Sequence, residues 1–376
     1  MMKLIQIDSF TLTVDCKYVK LILLKLGRCI SLHINSLKFL NIVLRNNAKY
    51  LSVLAMMLIS TLPVVSAYTT DAPNTVSIEA QNYLKTLTHD PNTDPTPPST
   101  SDTEGWKTYI AKYQKSGLQK TKNLAKLLNP NISKSTINGV PVVDVKPKGW
   151  IDNGKVIVYL HGGLIVSSVD STLGNAILIA NTSGYRVVSV DYVNGLNARW
   201  QEATNQVVSV IRNLDNVTIY CGSAGCAVGF SALLKIRDQR FEMVDNIVAV
   251  SGWFDLTESG DTYKSLKTKD PLQSYEKDLK VPAQIYTGST NMKNAYVSPV
   301  YGEFTGFPPT LIIGGTKDIF LSGFIRMYKA MDKVDVAVKL DLYEGMTHSF
   351  VTSQYTLPES KLAFQEIKEF IEQKSP

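Results

Sequence analysis

The sequence predicts an α/β fold in which a mostly parallel sheet is covered by helices on both faces. Apolar runs of five to eight residues alternate with longer segments of helical periodicity from residue 140 onward. The predicted strands are Val140–Val145, Lys155–Leu160, Arg186–Val190, Val217–Cys221, Ile247–Ser251, Thr310–Gly314 and Val336–Tyr343. The predicted helices between and after them are Ser171–Thr182, Trp200–Leu214, Ala224–Arg237, Gly323–Asp332 and Ser360–Gln373. In such folds, functional groups gather at the carboxyl ends of the strands.

Two further helices are predicted before the first strand. Ser77–Leu87 and Trp106–Leu128 both have apolar residues at helical spacing. The stretch between them, Asp90–Gly105, is rich in Pro, Thr, Ser and Asp, which indicates a loop or linker. Residues 256–305 are polar and irregular, and we expect them to form part of a lid.

A serine flanked by small residues follows the strand Val217–Cys221. Gly222, Ser223, Ala224 and Gly225 follow the strand, and a helical pattern begins at once. This layout is typical of a nucleophile elbow, in which a tight turn exposes the serine Oγ at the edge of a sheet. The pattern predicts that Ser223 is a nucleophile.

A serine hydroxyl needs an adjacent base, usually a histidine that a carboxylate orients. His348 follows the last predicted strand, and Asp318 follows the strand Thr310–Gly314, so both lie where strands end. The order Ser, Asp, His along the chain is the one found in α/β-hydrolases. We therefore predict a triad of Ser223, Asp318 and His348. The other acids and histidine considered, Asp191, Asp255, Asp341 and His89, are expected to have structural or solvated positions.

A serine nucleophile also needs backbone N–H donors for the oxyanion of its tetrahedral intermediate. One donor is expected from Ala224, directly after the serine. The others are expected from a glycine-rich loop after the strand Lys155–Leu160, where the Gly162, Gly163 and Leu164 amides lie. His161, which begins this loop, is expected to support the loop rather than to act as a base.

These motifs resemble the hormone-sensitive-lipase group of α/β-hydrolases, which includes carboxylesterases and arylacetamide deacetylases. The resemblance spans about residues 137–373. The matching segments are His161-Gly162-Gly163, Asp191-Tyr192, Ser223-Ala224-Gly225, Ser251 to Thr257, Phe307-Pro308-Pro309 and His348-Ser349-Phe350. The resemblance implies an eight-stranded sheet, a catalytic domain over residues 137–376, and an amino-terminal helical cap within residues 68–136. It also implies hydrolysis of a small-molecule carboxylic ester through an acyl-enzyme.

The chain departs from the family pattern at four positions around the site. Leu164 stands where a third glycine is usual, which implies a narrower pocket and short-chain or acetyl esters. Cys221 and Cys226 replace glycines, and Gly222 replaces an acidic residue. Amide, aryl-formamide or steryl-acetate cleavage by the same residues remains an alternative, as does a non-catalytic ligand-binding protein. No metal or nucleotide motif is present in the sequence, so no cofactor is predicted.

The positive charge of the chain lies in a leader over residues 1–67. The whole chain has a formal charge of +6, whereas residues 68–376 have equal numbers of basic and acidic side chains. Nucleic-acid binding is therefore not indicated. Residues 49–67 begin with Lys49, continue as an apolar stretch and end in Val65-Ser66-Ala67. This pattern is typical of a secretory signal. We expect export, with a membrane anchor by the same segment as the alternative. A start site downstream of Met1 would explain why this signal lies so far from residue 1.

Cys221 and Cys226 are the two cysteines outside the leader. A disulfide between them would have to bridge the elbow itself. We therefore expect two free, buried thiols at these positions.

Overall fold

The computed structural model describes residues 70–196 and 199–373, which form a sheet with helices on both faces. Within these residues the sheet has eight strands, in the order β1-β2-β4-β3-β5-β6-β7-β8. The strands are β1 (Asn131–Ile137), β2 (Val140–Lys146), β3 (Val156–Leu160), β4 (Arg186–Val190), β5 (Val217–Gly222), β6 (Asn246–Val250), β7 (Thr310–Gly315) and β8 (Val338–Tyr343). Strands β3 to β8 run parallel, while β1 and β2 are antiparallel to their neighbours. The predicted α/β-hydrolase architecture is confirmed.

Helices connect the strands and cover the sheet. They are α1 (Ile78–Thr86), α2 (Thr103–Leu128), α3 (Val169–Ser183), α4 (Trp200–Ile211), α5 (Ala224–Asp238), α6 (Thr262–Ser265), α7 (Lys280–Thr287), α8 (Leu321–Asp332), α9 (Phe350–Ser353) and α10 (Pro358–Glu372). One face of the sheet packs against α4, α5 and α8. The opposite face packs against α3 and α10, with Leu124 of α2 joining the same apolar core. Strands β3 to β7 are thus buried on both faces, as expected for parallel strands.

Two segments differ from the sequence prediction. Strand β1 was not predicted, because its Asn-Ile-Ser-Lys-Ser-Thr-Ile sequence is mostly polar and exposed. It forms by pairing along the whole of β2 across a tight turn at Asn138 and Gly139. Residues 256–305, expected to be irregular, contain α6, a π-helical turn at Tyr275–Leu279 and α7. Buried Ala283, Ile285 and Tyr286 anchor α7 to the core.

The predicted leader lies outside the described residues. Among residues 70–196 and 199–373, no helix combines the length and the apolar character needed to cross a bilayer.

Candidate active site

Ser223 lies at the tip of the sharp turn between β5 and α5. Its backbone has φ +52° and ψ −126°, a conformation that non-glycine residues rarely adopt. The turn is crowded, because a Cβ atom at Gly225 would lie 2.2 Å from the carbonyl oxygen of Leu160. Glycine is therefore required where α5 passes β3. The strained conformation holds the Ser223 side chain away from the helix and toward the cavity described below.

The structure brings the side chains of Ser223, His348 and Asp318 together in a hydrogen-bonded chain. His348 Nε2 lies 2.9 Å from Ser223 Oγ, and His348 Nδ1 lies 2.8 Å from Asp318 Oδ2. Asp318 is fully buried, and its Oδ1 accepts a hydrogen bond from the Phe320 amide at 2.9 Å. The three residues follow β5, β7 and β8, whose parallel carboxyl ends meet at one edge of the sheet.

The surroundings of His348 favour its protonated form. Burial alone would lower the pKa of this imidazole, but the charge of Asp318, its hydrogen bond and the charge of Asp270 together raise the pKa above the ordinary value. The imidazolium that forms when a base takes the serine proton is thus stabilised. An imidazole in this position can both accept and return a proton.

Two buried side chains to which the sequence analysis gave no role in the site, Asp270 and Ser251, brace the loops carrying Asp318 and His348. Asp270 Oδ2 accepts a hydrogen bond from the Ile319 amide at 3.0 Å, directly after Asp318. Ser251 Oγ accepts one from the Ser349 amide at 2.9 Å, directly after His348. Burial, and then the charge of Asp318, raise the pKa of Asp270 above its ordinary value. No local motif reveals Asp270, because it meets Asp318 only in the folded chain.

Replacing Asp270 with asparagine is expected to move the acid limb of the kcat/KM profile to lower pH. The change removes a negative charge that raises the pKa of His348, so the imidazole stays neutral, and able to act as a base, at lower pH. We also expect kcat to fall about threefold to tenfold, because the Ile319 amide loses a charged acceptor. The measurement is a pH profile of ester hydrolysis. The control is Asp152→Asn, a change at an exposed residue before β3, which should leave the acid limb of the profile unchanged. An acid limb that does not move in Asp270→Asn would contradict the proposed influence of Asp270 on the pKa of His348.

The loop after β3 presents backbone N–H groups beside Ser223. Among the described residues, the amides of Gly162, Gly163 and Leu164 donate no backbone hydrogen bond within a loop or turn. Ala224 is the first residue of α5, where amides have no partner within the helix. A Cβ atom at Gly162 would lie 2.9 Å from the Cβ atom of Ser223, so the loop approaches the elbow closely. These four predicted donor residues all line the cavity that contains Ser223.

His161 lies behind this loop and is buried. Its ring stacks on that of Tyr192, with centroids 4.4 Å apart, and its Nδ1 lies 2.8 Å from the carbonyl oxygen of Gly162. The Tyr192 hydroxyl donates to the carbonyl oxygen of His161. Burial lowers the pKa of His161 to about 4, so the ring is neutral at physiological pH. His161 contacts its own loop and Tyr192, and has no hydrogen bond to Ser223.

The expectation of free thiols at Cys221 and Cys226 is wrong. The two residues are joined by a disulfide, with Cα atoms 4.9 Å apart, which lies within the usual range. The elbow turns so sharply that the third residue of α5 returns over the end of β5. The disulfide therefore spans the elbow, and its loop encloses Ser223 and Ala224.

Replacing both Cys221 and Cys226 with alanine is expected to lower the free energy of unfolding by about 2 kcal/mol, the chain-entropy value for so short a loop. Urea unfolding measures this, and peptide mass spectrometry without reductant should show the two cysteines linked. The control is the same pair of unfolding curves in the presence of reductant, in which the difference between wild type and the elbow variant should shrink. Equal stability of wild type and the elbow variant, with both elbow thiols alkylated in wild type, would contradict this prediction.

The competing residues from the sequence analysis are held elsewhere. Asp255 is buried in an ion pair with Arg326, at 2.5 Å. Asp341 lies near Lys339 on β8, and His89 pairs with Asp94 at the surface. Asp191 follows β4, where its amide bonds to the carbonyl oxygen of Pro141. None of these four lines the cavity at Ser223.

Ser223 and His348 open into a cavity of about 210 Å³. Tyr109 and Tyr113 of α2 line one side, and Leu279 and Pro282 line another. Trp253, whose amide donates to the Ser223 carbonyl oxygen at 2.9 Å, also lines the cavity. In the part of the chain that the structure describes, no group of three His, Cys, Asp or Glu side chains is arranged to hold a metal ion.

The sheet order, the elbow and the hydrogen-bonded serine, histidine and aspartate together define the class of the α/β-hydrolases. The chain belongs to this family: a family model described as the alpha/beta hydrolase fold matches residues 157–352. The family membership predicted from the sequence is thereby confirmed.

Particular relatives are similar at moderate identity. An acetyl-hydrolase of Streptomyces hygroscopicus is 26% identical over 244 residues, which cover 60% of this chain and 81% of the relative. The crystal structure of an esterase, E25, superposes with a TM-score of 0.73 at 25% identity, covering 81% of this chain and 96% of E25. An esterase from the bacterial hormone-sensitive lipase family has the same fold, with a TM-score of 0.67 at 21% identity, over 79% of this chain and 98% of that one.

Proposed function

We propose that the protein is a serine hydrolase that cleaves carboxylic esters. The observation that carries this proposal is the unbroken hydrogen-bonded chain from Ser223 Oγ through His348 to the buried Asp318, beside a cavity. The names of similar proteins, an acetyl-hydrolase and an esterase, support the same reaction class.

In the proposed reaction, Ser223 Oγ attacks the ester carbonyl carbon while His348 Nε2 accepts the hydroxyl proton. The tetrahedral intermediate collapses, the carbon–oxygen bond to the alcohol breaks, and His348 gives the proton to the leaving alkoxide. Water, deprotonated by the same imidazole, then attacks the acyl-enzyme and releases the acid and free Ser223. Asp318 holds Nδ1–H and so keeps Nε2 free to accept a proton.

The negative charge on the former carbonyl oxygen needs donors that are already in place. The amides of Gly162, Gly163, Leu164 and Ala224 are proposed to supply them. Gly162 and Ala224 both lie beside the nucleophile, since a Cβ atom added at Gly162 would lie 2.9 Å from the Ser223 Cβ atom and Ala224 follows Ser223 in sequence.

Short acyl groups are the proposed substrates. A cavity of about 210 Å³ is smaller than the roughly 300–1,000 Å³ typical of sites for drug-sized ligands. Leu164, a buried residue, is among those that line it, at the position where the family usually has a smaller glycine. The name of the Streptomyces relative, an acetyl-hydrolase, agrees with a small acyl group.

The test is hydrolysis of p-nitrophenyl acetate, butyrate and octanoate by the full chain. We expect acetate and butyrate to be cleaved with higher kcat/KM than octanoate. Turnover of N-acetyl p-nitroaniline, but of no ester, would favour the alternative of amide cleavage. Absence of turnover on every ester and amide, in protein shown to be folded by circular dichroism, would overturn the hydrolase proposal and favour a binding protein.

A further inference from the structure

Two tyrosines and an asparagine form a polar wall of the cavity that the proposed reaction does not use. Tyr159 on β3 and Tyr220 on β5 are direct neighbours in the sheet register, and Asn175 on α3 is hydrogen-bonded to Tyr159. All three line the cavity that contains Ser223 and His348. We call Tyr159, Asn175 and Tyr220 the polar wall.

The orientation of Asn175 is fixed by a lysine behind it. Lys120 Nζ of α2 donates to Asn175 Oδ1 at 2.8 Å and to the carbonyl oxygen of Thr352 at 2.6 Å. An ammonium group has only donors, so the oxygen of the amide must face it. The Asn175 amide nitrogen consequently faces Tyr159, and donates to its hydroxyl oxygen at 3.1 Å.

This arrangement leaves hydroxyl protons without acceptors at the wall. Tyr159 already accepts from Asn175, and no hydrogen bond in the described residues uses its own proton. The Tyr220 hydroxyl has no partner among them at all, although the residue is only 1% exposed. Buried polar groups in proteins are nearly always hydrogen-bonded, and an unpaired one costs about 1–3 kcal/mol. Among the described residues, no acceptor therefore binds the protons of these two hydroxyl groups.

The electrostatics of the wall also favour an acceptor. Lys120 donates to Asn175, and Asn175 donates to Tyr159, so each donor polarises the next. Burial keeps both phenols in their neutral, donating form, since it raises the pKa of Tyr159 to about 12 and the pKa of Tyr220 further. An apolar alkyl group against this wall would leave the tyrosine protons unpaired.

We propose that the polar wall binds an oxygen atom of the substrate, so that the substrate is a short ester bearing a second oxygen, such as an ether, hydroxyl or carbonyl group. This inference rests on the proposed function and narrows its substrate class. The second oxygen lies on the acyl or the alcohol part, whichever occupies the wall. Tyr220 acts here as a binding residue, with Tyr159 beside it.

The test compares esters that differ by one oxygen in place of a methylene group. p-Nitrophenyl methoxyacetate and butyrate form the acyl pair, and 2-methoxyethyl acetate and butyl acetate form the alcohol pair. The kcat/KM ratio within each pair is measured for wild type and for Tyr220→Phe, so that the intrinsic reactivity of each ester cancels. We expect Tyr220→Phe to lower the preference for the oxygenated ester about tenfold in one of the two pairs, which identifies the part of the substrate that contacts the wall.

Tyr185→Phe is the matched control, because Tyr185 is a buried tyrosine before β4 that does not line the cavity. It should leave both ratios unchanged. If Tyr220→Phe also leaves both ratios unchanged, the inference is overturned while the hydrolase proposal stands.

A binding measurement separates the inference from the proposed function. Ser223→Ala protein is titrated with an acyl pair, methyl methoxyacetate and methyl butyrate, and with an alcohol pair, 2-methoxyethyl acetate and butyl acetate, and binding is followed by changes in nuclear magnetic resonance spectra. We expect the oxygenated ester to bind about tenfold more tightly than its partner in one of the two pairs, and this difference to vanish when Tyr220→Phe is added. Equal affinities within both pairs would overturn the inference, whether or not the wild type hydrolyses esters.

Discussion

Replacing Ser223 with alanine is expected to lower kcat for p-nitrophenyl acetate by about five to six powers of ten. The loss is this large because the alcohol that forms the acyl-enzyme is gone, and removal of a triad serine in other hydrolases has an effect of that size. The fold should be retained, since alanine adds no atoms to the crowded elbow. The measurement is steady-state hydrolysis, with circular dichroism spectra of both proteins.

The matched control is Ser231→Ala in α5, the helix that follows Ser223. Ser231 is buried and donates to the carbonyl oxygen of Tyr296, so its loss should reduce stability by about 1 kcal/mol and leave kcat within a few-fold. If Ser223→Ala retained more than about a hundredth of wild-type kcat, a different nucleophile would have to be sought.

Replacing Asp318 with asparagine is expected to lower kcat about 10⁴-fold without unfolding the protein. The Phe320 amide donates to Oδ1, so the asparagine would keep its carbonyl oxygen there and turn its NH₂ group toward His348 Nδ1. That donor forces the proton of the neutral imidazole onto Nε2. His348 would then present N–H rather than a lone pair to Ser223, and could not act as the base.

The rejected acid Asp341 provides the control for this prediction. Asp341→Asn lies on β8, outside the cavity, and should leave kcat within about twofold. The effect of Asp318→Asn should appear in kcat rather than in stability, so urea unfolding is measured beside hydrolysis. Similar losses of activity in the two variants would contradict the assignment of Asp318.

The elements that place Ser223, Asp318 and His348 could be predicted because their signals are local. Each follows an apolar run bounded by turn residues, and parallel strands bring their carboxyl ends to one edge. The strand Arg186–Val190 was predicted with the bounds it has in the structure. A serine nucleophile needs a histidine base oriented by a carboxylate, and in α/β-hydrolases the order along the chain is Ser, Asp, His. The candidates for its two partners are therefore few.

What could not be predicted depends on contacts between distant segments. Asp270 reaches the Asp318 loop across 49 residues of chain. Tyr159 and Tyr220 meet through the register of β3 and β5, which a single strand pattern does not specify. The disulfide was not predicted because its formation depends on how tightly the elbow turns. Strand β1 was not predicted because its pairing with β2, rather than its own composition, makes it a strand.

The central claim is that Ser223 is the nucleophile, and a covalent label tests it most directly. The full chain is incubated with diethyl p-nitrophenyl phosphate, which phosphorylates activated serines, and its intact mass and peptide map are measured. We expect a single diethylphosphoryl adduct on Ser223, formed in step with loss of esterase activity, and no adduct in Ser223→Ala. An unlabelled folded protein, or an adduct on another residue with equal loss of activity, would contradict the account.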